Sequence, residues 1–115
     1  MKKAFRATIF HCLADPGPHA DASAVEHIED GLLVVENGHI TQLGDAGGLL
    51  PGLGEDVPVE DYSGKLIVPG LIDCHTHLDA QMFWDPVGAS SCWHGVTTAV
   101  MGNCGFTIAP GSSDQ

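Results

Sequence analysis

Positive charge is scarce in this chain: four Lys and Arg residues stand against fifteen Asp and Glu, a formal charge of -11, and no Lys or Arg occurs between Arg6 and Lys65. The first half thus carries acid with little to balance it, which argues against nucleic-acid phosphates and anionic membrane surfaces as partners. Long apolar runs are also missing. Arg6, His11 and Asp15 interrupt the start before it reaches the length of a signal peptide, and no window is long and apolar enough to span a bilayer. The expectation is a cytoplasmic chain. Its four cysteines, Cys12, Cys74, Cys92 and Cys104, form no Cys-x-x-Cys pair, so neither a zinc ribbon nor a disulfide framework is indicated. Each is expected to be a thiol, with one available as a metal ligand. Internal repeats and low-complexity tracts are absent as well.

What is present fits one modest domain: 115 residues, 43% of them apolar. Lys3 to Phe10 alternate as a strand does, and Ala14 to Ala24, with Pro, Gly, Asp and His, read as a surface loop. Leu32-Leu33-Val34-Val35 and His39-Ile40-Thr41-Gln42-Leu43 flank Glu36-Asn37-Gly38, and Asn-Gly supplies the positive φ angles of a tight hairpin turn. Gly44 to Pro58 suggest a loop with at most one helical turn, and Val57 to Tyr62 another strand. Lys65-Leu66-Ile67-Val68 and Leu71-Ile72-Asp73-Cys74-His75 form an apolar run broken only by Pro69-Gly70, the pattern of a strand buried on both faces in a parallel sheet. Pro86 and Gly88 confine helix to Ser90–His94 or to a short stretch after Asp79. Val96 to Met101 are β-branched and apolar, a second buried strand, and Gly102-Asn103-Cys104-Gly105 end it in a turn. The tail from Pro110 holds no core-forming residue and is expected to fray. The fold class is therefore α/β with a β module: a small antiparallel module over 1–68, a strand-crossover-strand unit over 69–110, and a disordered tail at 111–115. A complete (β/α)8 barrel typically needs about 250 residues, so this chain could hold only its beginning.

The residues that carry chemistry are His75 and His77. Residues two apart in an extended chain share a face, so both imidazoles can converge on one ion at the C-terminal end of a strand, where parallel barrels place their active sites. Two solvated histidines are the alternative on spacing alone. Cys104, just past the second predicted strand, would lie on the same rim; a small buried thiol is its alternative. Asp73 either orients an imidazole or makes a structural hydrogen bond. His11, His19, His27 and His39 read as solvated or hydrogen-bonded residues, and neither Asp79 nor His94 is given a catalytic role.

Val68-Pro69-Gly70-Leu71-Ile72-Asp73-Cys74-His75-Thr76-His77 resembles the first-strand signature of the amidohydrolase superfamily, whose two histidines bind zinc. Residues 69–110, with His77-Leu78-Asp79-Ala80-Gln81, Trp84-Asp85-Pro86, Trp93-His94-Gly95-Val96-Thr97-Thr98 and Met101-Gly102-Asn103-Cys104-Gly105-Phe106, resemble the N-acyl-D-amino-acid deacylases (D-aminoacylases). In that group the Gly-Asn-Cys-Gly cysteine is a metal ligand in place of the carboxylated lysine of other members. Residues 1–70, through Phe5-Arg6-Ala7, Ile28 to Val35 and Val57 to Gly70, look more like the N-terminus of bacterial guanine deaminases, a β-sandwich beside the barrel without catalytic residues. The chain thus reads as a mosaic joined near Pro69 to His77.

The resemblance implies hydrolysis of an amide bond by zinc-activated water on a small-molecule substrate, with His75, His77 and Cys104 as the metal ligands. Related enzymes draw further histidines and a general-base aspartate from later barrel strands that these residues do not include. The isolated chain is therefore expected to be inactive, with self-association through exposed strand edges left open. A guanine-deaminase-like hydrolase acting on a cyclic amidine and a non-catalytic β-module fragment are the competing readings.

Overall fold

The computed structural model describes residues 1–102 and divides the chain into two compact units, one of Met1–Pro69 and a second beginning at Gly70.

The first unit is a four-stranded sheet in the order β3-β2-β1-β4, from strands Lys2–Cys12 (β1), Val25–Glu36 (β2), His39–Asp45 (β3) and Val59–Ile67 (β4). β2 pairs antiparallel with both β1 and β3, whereas β4 runs parallel to β1. The expected hairpin is β2–β3, closed by Asn37 and Gly38 at φ 52° and 82° with Glu36 opposite His39. A bulge shifts the β1–β2 register between Ala7 and Ile9, and Thr8 Oγ1 donates to the Glu29 carbonyl across it at 2.9 Å. The core is small: Ala4, Leu32, Val34 and Ala46 are fully buried, and Leu49, Leu50, Leu53 and Val57 pack against them. Leu49 ends a short helix, Ala46–Leu49 (α1), Leu50 opens the 3-10 turn Leu50–Gly52 that follows it, and Leu53 caps that turn. Asp45 caps α1 by accepting the Gly48 N–H at 3.2 Å.

Charge on the sheet surface is paired locally. Arg6 forks onto Asp30, Nε to Oδ1 and Nη2 to Oδ2 both at 2.7 Å, and this hydrogen bonding holds the Asp30 carboxyl below the usual carboxylate range. Glu60 accepts from Lys3 Nζ at 2.9 Å and from the Tyr62 hydroxyl at 3.0 Å, and its pKa is likewise lowered. His11, read as solvated or hydrogen-bonded, lies 2.8 Å from Glu26 through Nε2 and Oε2.

Three expectations are corrected here. The module is mixed rather than antiparallel, because the β1–β4 pairing is parallel. It is one sheet rather than a sandwich among the described residues. The two segments Val57 to Tyr62 and Lys65 to Val68 belong to a single strand, β4, interrupted by a bulge: Arg6 pairs with Asp61 but Thr8 with Leu66. Asp61 accepts the Ser63 N–H at 2.8 Å and Gly64 takes φ 79°, so the extra residues turn out of the ladder and the strand resumes.

The second unit holds a two-stranded parallel sheet, Leu71–Asp73 (β5) and Val96–Ala99 (β6), joined through two short helices, Leu78–Gln81 (α2) and Ala89–Trp93 (α3). Both of the places expected to allow helix therefore form it. Asp85 links the helices, accepting from Gln81 Nε2 at 3.1 Å and from the Ala89 N–H at 2.7 Å. Gly70 lies so close to Thr97 that a Cβ there would overlap the threonine side chain. The expected burial on both faces is not found: Leu71 and Ile72 are 54% and 68% exposed. A parallel pair becomes a buried layer only when both of its faces are covered. Asn103 to Gln115, including the expected turn at Cys104 and the expected frayed tail, lie outside the described residues.

Candidate metal centre

β5 ends at Asp73, paired with Ala99 at the end of β6, so both strands finish on the same rim. Val100 N–H donates to the Asp73 carbonyl at 2.8 Å and closes that end. The chain then bends at Cys74 and His75 instead of running on extended. The Asp73 side chain sets this bend by accepting the His75 backbone N–H at 3.1 Å. Of the two roles open to Asp73, the structure records the structural hydrogen bond.

His77 adopts φ -103°, ψ 40° as the residue entering α2, and Leu78, which follows it, is buried at 6% exposure. The two histidines are thus held between a side-chain-pinned bend and an anchored helix start. Their rings lie with centroids 6.1 Å apart and planes 27° from parallel, and both residues are exposed. The rings are neighbours through a turn rather than through the two-residue repeat of a strand. In a tetrahedral site, Zn–N bonds of about 2.0–2.1 Å would bring two imidazole ring centres to about 5 Å. The observed separation is wider than that.

The third expected ligand, Cys104, lies outside the described residues. Among the described residues no group of three or more His, Cys, Asp or Glu side chains is arranged to hold a metal ion. His94 is placed away from such a role, with Nδ1 2.7 Å from the Ser90 carbonyl at the end of α3.

Sequence reasoning missed a cavity of about 320 Å³ in the same unit, lined by Leu78, Met82, Val87, Cys92 and Val96 among others. Its walls come from both helices and from β6, and no periodicity in so short a connection marks them. His75 and His77 do not line it.

Residues 59–113 match the amidohydrolase family, and the chain carries an amidohydrolase-family segment that spans β4, the histidine bend and β6. Over 85 residues it is 42% identical to the N-acyl-D-aspartate deacylase of Alcaligenes xylosoxydans xylosoxydans, covering 74% of this chain and 16% of that enzyme. It is 47% identical over 68 residues to the imidazolonepropionase of Cupriavidus taiwanensis, covering 59% of this chain and 15% of the relative. In three dimensions it is similar to E. coli guanine deaminase, with a TM-score of 0.63 and 35% identity over 69% of this chain and 19% of that one. The chain therefore spans less than a fifth of each of these proteins.

Proposed function

We propose that this chain supplies the opening metal-binding strand of an amidohydrolase that cleaves the amide bond of N-acyl-D-amino acids. The observation that carries the reading is the pairing of the His75 and His77 rings at the open end of parallel strands. β5, the α2–α3 connection and β6 are the first strand-crossover-strand unit of a (β/α)8 barrel. His75 and His77 offer two neutral nitrogen donors. Cys104 offers a thiolate from the segment after β6, and this mixed nitrogen and sulfur set suits zinc. Zinc held there would activate water and polarise the scissile carbonyl at neutral pH. The chain's own contribution is positional: Asp73 fixes the bend, Leu78 anchors its far side, and the imidazoles between them are left exposed. The remaining ligands and the general base belong to later strands, so the isolated chain binds metal without turning over substrate.

Likeness to the guanine deaminase structure supports a second reading, a hydrolase acting on a cyclic amidine. The sulfur ligand separates the two, since it is specific to the deacylase-like segment. Titrating the purified chain with zinc in a calorimeter is expected to give heats that vanish in the His75→Ala/His77→Ala variant; equal heats would remove the metal centre. With cobalt(II) in place of zinc, a sulfur-to-metal charge-transfer band is expected to survive Cys74→Ser and disappear in Cys104→Ser. Persistence of the band in Cys104→Ser would remove the thiolate and favour the deaminase reading.

A further inference from the structure

Asn37 and Gly38 do more than turn the chain. Both occupy the left-handed region, both are exposed, and apart from the two adjoining residues no atom lies within 4 Å of where a Cβ on Gly38 would stand. Asparagine followed by glycine is the pair in which the backbone nitrogen of the second residue most readily reaches the side-chain amide of the first, because no side chain obstructs the approach. We propose that the hairpin tip is a self-modification site, at which the Gly38 nitrogen attacks Asn37 Cγ and the turn itself restrains the reaction. In that step the new N–Cγ bond closes a five-membered succinimide. The Gly38 amide proton and the side-chain NH2 leave together as ammonia. Water then opens the ring at either carbonyl, leaving an aspartate or its isoaspartyl isomer in place of Asn37, with no oxidant or reductant needed.

Restraint comes from the contacts of Asn37. Its backbone N–H donates to the Met1 carbonyl at 3.1 Å and its Oδ1 accepts from the Met1 amino group at 2.7 Å. The side-chain amide is thereby tied toward the start of β1 rather than left free to swing onto Gly38. Opening the tip frees it. The isoaspartyl product runs the main chain through the former side chain, one methylene longer, which a two-residue turn with Glu36 opposite His39 does not accommodate. Modification at one residue would therefore loosen the β2–β3 ladder.

The chain has one other asparagine, Asn103, followed by cysteine, which serves as an internal comparison. The full chain is incubated at mildly alkaline pH with and without denaturant, then digested and read by mass spectrometry for amide-to-acid conversion, with isoaspartyl methyltransferase labelling to mark the succinimide route. Conversion at Asn37 is expected in the folded chain, several-fold faster in denaturant, faster than at Asn103 in denaturant, and suppressed several-fold by Gly38→Ala in denaturant. An Asn37 that stays intact in the folded chain overturns the site; equal rates with and without denaturant overturn the restraint; conversion without isoaspartyl product overturns the route.

Discussion

The bulge in β1–β2 makes a sharp prediction about Gly31. A Cβ at this position would stand 2.6 Å from both Cδ1 and Cγ1 of Ile9 and 3.1 Å from the Ala7 carbonyl oxygen. Ile9 is 1% exposed and has little room to retreat. Gly31→Ala is therefore an overpacking change, expected to cost about 1–3 kcal/mol. Ile9→Ala alone removes a buried side chain and is expected to cost about 2–5 kcal/mol through lost burial and the cavity left behind. Together the two changes should cost less than their sum by roughly 0.5–3 kcal/mol, because the second removes the atoms the first collides with. Only the Ala7 oxygen then remains near, at a distance that a small backbone shift relieves. The assay is urea unfolding followed by the near-ultraviolet circular dichroism of Tyr62, the chain's only tyrosine. Trp84 and Trp93 both lie in the second unit and report on it separately. With an m value of about 1–3 kcal/mol/M, a change of about 2 kcal/mol moves the midpoint by roughly 1 M. Strictly additive costs, or a neutral Gly31→Ala, would refute the reasoning.

Leu32→Ala empties part of the fully buried cluster and is expected to destabilise the first unit by about 2–5 kcal/mol, read by the same unfolding signal. Gly70→Ala collides with Thr97, so it should abolish hydrogen-exchange protection of β5 and β6, and Gly70→Ala/Thr97→Gly should restore it. Because Arg6 lowers the folded-state pKa of Asp30, the stability it adds is present above the unfolded carboxylate value near about 4 and is lost as pH falls through the lower folded value. The unfolding midpoints of the parent and Asp30→Asn are accordingly expected to differ at neutral pH and to converge in acid. Convergence at neutral pH would sink that claim.

Local chemistry was legible where a residue pair dictates it. Asn37-Gly38 announced the hairpin, and the β-branched run from Val96 announced β6. The histidine pair was legible as a pair, but its geometry was not: the spacing suggested a straight strand, whereas Asp73 bends the chain and leaves the ring centres 6.1 Å apart. Long-range pairing was the harder matter. Lys65 to Val68 read as the start of a new buried strand because apolar runs do not reveal their partners, and the bulge that joins them to Val59–Asp61 depends on an aspartate, a serine and a glycine acting together. The leucines after Asp45 read as a loop with at most one helical turn because glycine and proline surround them, and Leu49, Leu50 and Leu53 pack, partly buried, against the cluster that holds Leu32 and Val34. Tertiary burial overrode a weak local signal there.

The parallel pairing of β1 with β4 also sets an order of events. β1 can close on β2 early, but its other edge waits until everything through Ile67 has been synthesised, since β2, β3 and α1 all intervene. Closing so long a loop is slow and is rewarded only at the end. A nascent chain on the ribosome would expose that edge for much of its emergence, and binding by a chaperone during this interval would guard it against pairing with a neighbouring chain.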